Sequence, residues 1–225
     1  MPEFVRYSPW TRKWFDHYLK WNFKKHFSEI RCQGVSSLVS HSGPLLFVSN
    51  HVSWWDGFFL FELQRRIRPK AQLYTIALET TVKANPILAR MGVLPMEPGN
   101  PSSLKRLLSH LKHLRETLPP EQLLVSFFPQ GKITPSFKKT LGFQRGVELI
   151  AESLNPITLV PVGIHIEPMT GKGPTVLLSV GAGQTWQAGL GASDLENHVQ
   201  AVLGGIHQEL YVNGEKVSPT FERWR

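Results

Sequence analysis

The chain has 225 residues, with 25 Lys/Arg against 17 Asp/Glu and a formal charge of +8. An apolar content of 41% beside 19% charged residues excludes a disordered chain, and the length suits one sizeable domain with a full core. A single cysteine, Cys32, excludes an internal disulfide and a cysteine-built zinc site. The apolar runs fall far short of the roughly 18 residues of a spanning helix, so no transmembrane segment is expected. The first residues carry Glu3, Arg6 and Pro9 without an apolar stretch, which does not read as a signal peptide. The expectation is an intracellular globular chain whose excess positive charge meets phosphate-bearing partners.

In chain order, residues 1–31 come first and hold half of that charge: seven Lys/Arg against three acids. They also hold nine aromatics, Phe4, Tyr7, Trp10, Trp14, Phe15, Tyr18, Trp21, Phe23 and Phe27. Trp10, Trp14, Tyr18 and Trp21 recur at helical spacing, with Ser8 as a cap and Pro9 at the first helical position. Lys13, Lys20 and Lys24 lie off that stripe. Rings on one side and cations elsewhere suit a bilayer interface, although the same stripe also suits docking on the chain's own core. Residues 1–30 therefore read as an N-terminal amphipathic, membrane-contacting helix ahead of a domain over 31–225.

Within 31–225 strands alternate with helices. Leu45–Ser49 is a buried strand, 56–66 a helix, 71–77 a strand, 81–91 a helix ended by Gly92, and 93–96 a short strand. Asn100 caps the clearest helix, with Pro101 first and the stripe Leu104, Leu107, Leu108, Leu111, Leu114 and Leu118. Pro119-Pro120 stops it. A strand over 123–128, a helix over 143–153, strands over 157–166 and 176–181 and a closing helix over 192–211 complete the pattern. The predicted fold is a single α/β domain, a mostly parallel central sheet flanked by helices.

The first predicted strand runs into Asn50-His51-Val52-Ser53-Trp54-Trp55-Asp56. Functional groups gather at the carboxyl ends of strands in such sheets. A carboxylate five residues after a histidine, across a helix start, can fix the imidazole and support its charge as it takes a proton. Trp54 and Trp55 flank that histidine, either as pocket lining or as core. The run Gln64-Arg65-Arg66-Ile67-Arg68-Pro69-Lys70 reads as a surface for coenzyme A phosphates, an acidic carrier or lipid headgroups, or as a solvated helix end. No metal-ligand spacing, phosphate loop, dinucleotide fingerprint or nucleic-acid motif appears.

Four blocks together carry a resemblance. Asn50-His51-x-x-x-x-Asp56 resembles the first signature of the glycerolipid acyltransferase family. Phe127-Phe128-Pro129-Gln130-Gly131-Lys132 is similar to that family's Phe-Pro-Glu-Gly-Thr-Arg block, Phe143-Gln144-Arg145-Gly146 to its Phe-Lys-x-Gly helix start, and Val160-Pro161-Val162 to its Val-Pro-Val strand end. The resemblance implies an acyltransferase domain over 31–225, peripheral on the cytoplasmic face of a membrane. It implies His51 as general base, Asp56 orienting it, and no cofactor beyond acyl-CoA or acyl carrier protein as co-substrate. Asn50, Trp54, Trp55, Arg90, Gln130, Gly131, Lys132 and Arg145 are the substrate-binding candidates, with backbone amides around Gly131 as oxyanion donors.

The departures concern the acceptor. Gln130 replaces the family's Glu, and Ile133 and Pro98 stand where the family has arginines read as gripping the acceptor's phosphate. Arg90, Lys132 or Arg145 are candidate substitutes. The resemblance implies a lysophospholipid or related glycerolipid acceptor; a glycolipid or a hydroxylated isoprenoid stays open, as does a non-catalytic lipid- or carrier-binding protein.

Overall fold

The structure is a computed structural model that describes Phe4 and residues 8–39 and 41–224. Glu3, Arg6 and Tyr7, counted above, lie outside the described residues. Eight helices are described: α1 (Pro9–His26), α2 (Ser36–Val39), α3 (Asp56–Ile67), α4 (Glu79–Ala84), α5 (Ile87–Arg90), α6 (Pro101–Thr117), α7 (Gly146–Ser153) and α8 (Ala192–Asn213). Nine strands accompany them: β1 (Glu29–Gln33), β2 (Leu45–Ser49), β3 (Gln72–Leu78), β4 (Val93–Met96), β5 (Leu123–Phe127), β6 (Thr158–Glu167), β7 (Thr175–Val180), β8 (Gln184–Thr185) and β9 (Glu222–Arg223).

The strands form one sheet in the order β4-β3-β5-β2-β6-β7-β1-β9, with β8 beside β6. The pairs β4·β3, β3·β5, β5·β2, β2·β6 and β7·β1 are parallel. The pairs β6·β7, β1·β9 and β6·β8 are antiparallel. The mostly parallel sheet agrees with the sequence pattern.

Strand β2 lies between two parallel neighbours, and all five of its residues are buried. A central parallel strand covered on both faces is a continuous apolar run. Leu45 and Phe47 point to the core shared with α1 (Phe15, Leu19, Phe23) and α3 (Phe59, Leu60, Leu63). Leu46 and Val48 point to the core shared with α6 (Leu107, Leu111), α7 (Val147, Ile150) and α8 (Val199, Leu203). Each fully buried side chain of this size stabilises the fold by about 1.5–3 kcal/mol over the exposed state. The result is a three-layer sandwich that fixes the carboxyl ends of β2, β3, β4 and β5 at one end of the sheet.

Several boundaries depart from the sequence expectations. The helix expected over 81–91 is two short helices, because Asn85-Pro86 interrupts it: a proline has no N–H to donate and disfavours helical geometry before it. The helix expected from 143 begins at Gly146. The N–H groups of Leu141, Gly142 and Phe143 donate instead to the Glu196 carboxylate, at 2.8, 3.0 and 2.8 Å. Strand β1 and the two-residue strands β8 and β9 were not anticipated. The aromatic stripe of α1 faces outward, with Trp10, Trp14, Tyr18 and Trp21 exposed by 77, 81, 54 and 59%. Phe15, Leu19 and Phe23 face the core instead.

Candidate active site

Beyond Ser49 the chain leaves β2 and turns into α3, and this turn carries the site. Asp56 opens α3 and is fully buried. Its Oδ2 accepts from the N–H groups of Val52 and Ser53 at 2.6 and 2.9 Å, and its Oδ1 accepts from the Ser53 hydroxyl at 2.5 Å. The helix start favours a carboxylate there. The same Oδ2 lies 2.7 Å from Nδ1 of His51. A carboxylate is acceptor-only, so Nδ1 carries the proton and Nε2 presents its lone pair. Nε2 has no partner among the described residues, and the imidazole is partly exposed.

The other walls come from neighbouring strand ends. Phe128, just beyond β5, stacks on the His51 ring with centroids 4.5 Å apart. Gln130 is buried, accepts the His51 N–H at 2.6 Å and donates to the Thr134 hydroxyl at 2.6 Å. The Thr134 N–H returns to the His51 carbonyl at 2.9 Å. The segments carrying the two motif blocks are thereby stapled together. Asn50 is buried too and reaches across to β6, donating to the Ile164 carbonyl and accepting from the Ile164 N–H, both at 2.8 Å.

His51 opens on a groove of about 760 Å³ lined largely by apolar side chains, including Phe61, Leu73, Ile76, Met91, Val93, Met96, Phe127 and Phe128. Gly131, Lys132 and Ile133 form one rim. The Gly131 N–H is occupied by the Phe128 carbonyl at 3.1 Å, in a turn with φ +66°. The N–H groups of Lys132 and Ile133 donate to no acceptor among the described residues. A second groove of about 720 Å³ lies under α1 and shares Trp54, Phe58 and Leu88 with the first.

The candidates thus separate. His51, Trp54, Gly131 and Lys132 stand together at the groove, with Asp56 buried behind His51. Asn50 and Gln130 are buried beneath it with their amide groups committed to backbone and Thr134. Trp55 packs among Phe23, Phe27 and Phe58 and lines only the second groove. Arg90 is exposed and lines neither groove; its carbonyl receives the Ser8 N–H at 2.8 Å. Arg145 points to solvent and lies 3.6 Å from Glu148. Phe128 and Thr134 are not among the sequence candidates, and Ser53 acts on Asp56 through its hydroxyl. Phe128 was visible as a motif member, whereas the Thr134 contacts arise only when the loop closes.

The basic run at the end of α3 is mostly used internally. Arg65 and Arg66 pair with Glu62 at 3.0 Å each, and Arg68 is buried and donates to the carbonyls of His41, Gly43 and Glu121. Lys70, at the end of the run, is exposed and makes no ion pair among the described residues.

Buried Asp56 holds the partly exposed imidazole of His51 at the carboxyl end of the central strand, facing an apolar groove. The acyltransferase family model matches residues 29–165, and the chain belongs to that family. It is 28% identical over 180 residues to the chloroplastic 1-acyl-sn-glycerol-3-phosphate acyltransferase LPAT1 of Arabidopsis thaliana, covering 72% of this chain and 45% of that protein. It is 31% identical over 150 residues to the chloroplastic 1-acyl-sn-glycerol-3-phosphate acyltransferase BAT2 of Brassica napus, covering 61% of this chain and 39% of that one. The chain therefore spans less than half the length of these relatives. The crystal structure of the 1-acyl-sn-glycerophosphate acyltransferase PlsC from Thermotoga maritima shares the fold, with a TM-score of 0.60 at 18% identity over 89% of this chain and 79% of that one.

Proposed function

We propose that the chain is an O-acyltransferase that moves a fatty acyl group from a thioester, on coenzyme A or acyl carrier protein, to a lipid hydroxyl. The observation that carries this is the His51–Asp56 pair, with Nε2 free over the apolar groove. The acceptor O–H gives its proton to Nε2 as its oxygen attacks the thioester carbonyl carbon. Asp56 supports the resulting imidazolium. The tetrahedral oxyanion accepts from the uncommitted N–H groups of Lys132 and Ile133. The C–S bond then breaks, and the departing thiolate takes the proton back from His51. Transfer is direct, since the one thiol, Cys32, is fully buried in β1 and its pKa is driven far up by that burial.

The lipids arrive from a membrane surface that the chain touches peripherally. The outward Trp10, Trp14, Tyr18 and Trp21 support this, with Lys13, Lys20, Lys24 and Lys25 exposed on the same helix. The groove beneath α1 is lined by Trp10, Trp14 and Tyr18 and shares Trp54, Phe58 and Leu88 with the His51 groove. No helix among the described residues is long and apolar enough to cross a membrane.

The test is His51→Ala in the full chain, assayed by mass spectrometry of extracted lipids with acyl-CoA and acyl carrier protein donors. Turnover is expected to fall by about 10²–10⁴-fold with the circular dichroism spectrum unchanged. Wild-type turnover in that variant would remove the base assignment.

A further inference from the structure

We propose that the acceptor carries an uncharged, hydroxyl-bearing headgroup and not a phosphate monoester. This rests on the acyl-transfer reading and names the substrate class of the same groove. Its lining includes Ile133, 52% exposed, and Pro98, neither of which has a side-chain donor. Among the described lining residues, the formally charged side chains are Lys132 and Glu97, which cancel. Glu97 is exposed and held by the Asn100 amide at 2.7 Å. Its carboxylate repels an anion in the groove.

Neighbouring cations do not repair this. Arg90 and Arg145 line no part of the groove. Lys83 lies outside the lining and holds Glu79 at 2.6 Å. A phosphate dianion is best held by bidentate guanidinium groups, whereas Lys132 offers one point charge. Against the side chains of Ile133 and Pro98 it would give up water without gaining a side-chain donor. The remaining polar lining suits alcohols: Thr81 brings a hydroxyl, Gln144 an amide and Glu97 an acceptor, all partners for glycerol or sugar hydroxyls.

The full chain should be titrated calorimetrically with 1-decanoylglycerol and with 1-decanoylglycerol 3-phosphate, each below its critical micelle concentration. Acylation of both is followed in parallel with acyl-CoA and acyl carrier protein donors. The neutral lipid is expected to bind about tenfold or more tightly than the phosphate. Ile133→Arg should close or reverse the preference. Glu97→Gln, which keeps an acceptor for Asn100, should narrow it by strengthening phosphate binding alone. Equal or tighter binding of the phosphate by the unmodified chain overturns the proposal, as does undetectable binding of the neutral lipid. Binding is read apart from turnover, so an intact preference with neither lipid acylated counts against the acyl-transfer reading and supports the headgroup assignment.

Discussion

Asn50 is 1% exposed, and both ends of its amide engage Ile164 on β6. Truncation leaves an N–H and a C=O buried without partners, at about 1–3 kcal/mol each. Asn50→Ala is therefore expected to destabilise the chain by about 2–4 kcal/mol, read from the denaturant midpoint. An unchanged midpoint would remove the clamp and restore Asn50 as a candidate for contact with substrate. The contrast with His51 and Asp56 shows what sequence spacing reveals. Those two lie five apart on one turn, so local geometry suffices to join them. Asn50 and Ile164 are 114 apart, and His51 and Gln130 are 79 apart; sheet pairing and loop closure bring them together. Arg90 and Arg145 looked like phosphate partners because the sequence reports their charge, but not the direction of an exposed side chain.

Helix α1 separates two roles on two faces. Phe23 is 5% exposed and packs against Phe27, Trp55 and Phe59, whereas Trp10, Trp14 and Trp21 stand in solvent. Phe23→Ala is expected to cost about 3–5 kcal/mol of stability. The triple variant Trp10→Ser, Trp14→Ser, Trp21→Ser should leave the thermal midpoint nearly unchanged and reduce sedimentation with anionic liposomes. Undiminished sedimentation would place membrane contact on another surface. The outward stripe was legible as a period of 3.6, but its direction was not, because a second apolar stripe (Phe15, Leu19, Phe23) follows the same helix. The central strands were legible within a residue or two, since a strand buried on both faces is a plain apolar run. Strand β1 was not: Arg31 and Gln33 interrupt its apolar character, and its pairing with β7 is settled by residues 175–179. The break at Pro86 was written in the sequence, yet the apolar residues either side of it continue the helical pattern.

Across the whole molecule, burial sets how stability responds to acid. His41, His110 and His207 all have pKa values below the ordinary 6.5, chiefly through desolvation. Nearby basic groups act in the same direction: Arg68 on His41, His113 on His110 and His165 on His207, the last partly opposed by Glu167. His41 Nε2 is buried without a partner, and His110 stacks against Phe4 with centroids 4.2 Å apart. The folded chain keeps these rings neutral, while the unfolded chain protonates them as pH falls through 6.5. The unfolded state then binds more protons, so this contribution is full above that value and is lost on acidification. Asp16 runs the other way, since burial raises its carboxyl and protonation favours its folded form. Its protonation starts from the carboxylate range and weighs most at lower pH. The thermal midpoint should therefore drop between about pH 7.5 and about pH 5.5, and the triple variant His41→Gln, His110→Gln, His207→Gln should flatten that slope. A flat profile in the unmodified chain, or an undiminished slope in the variant, would assign the proton uptake to other groups.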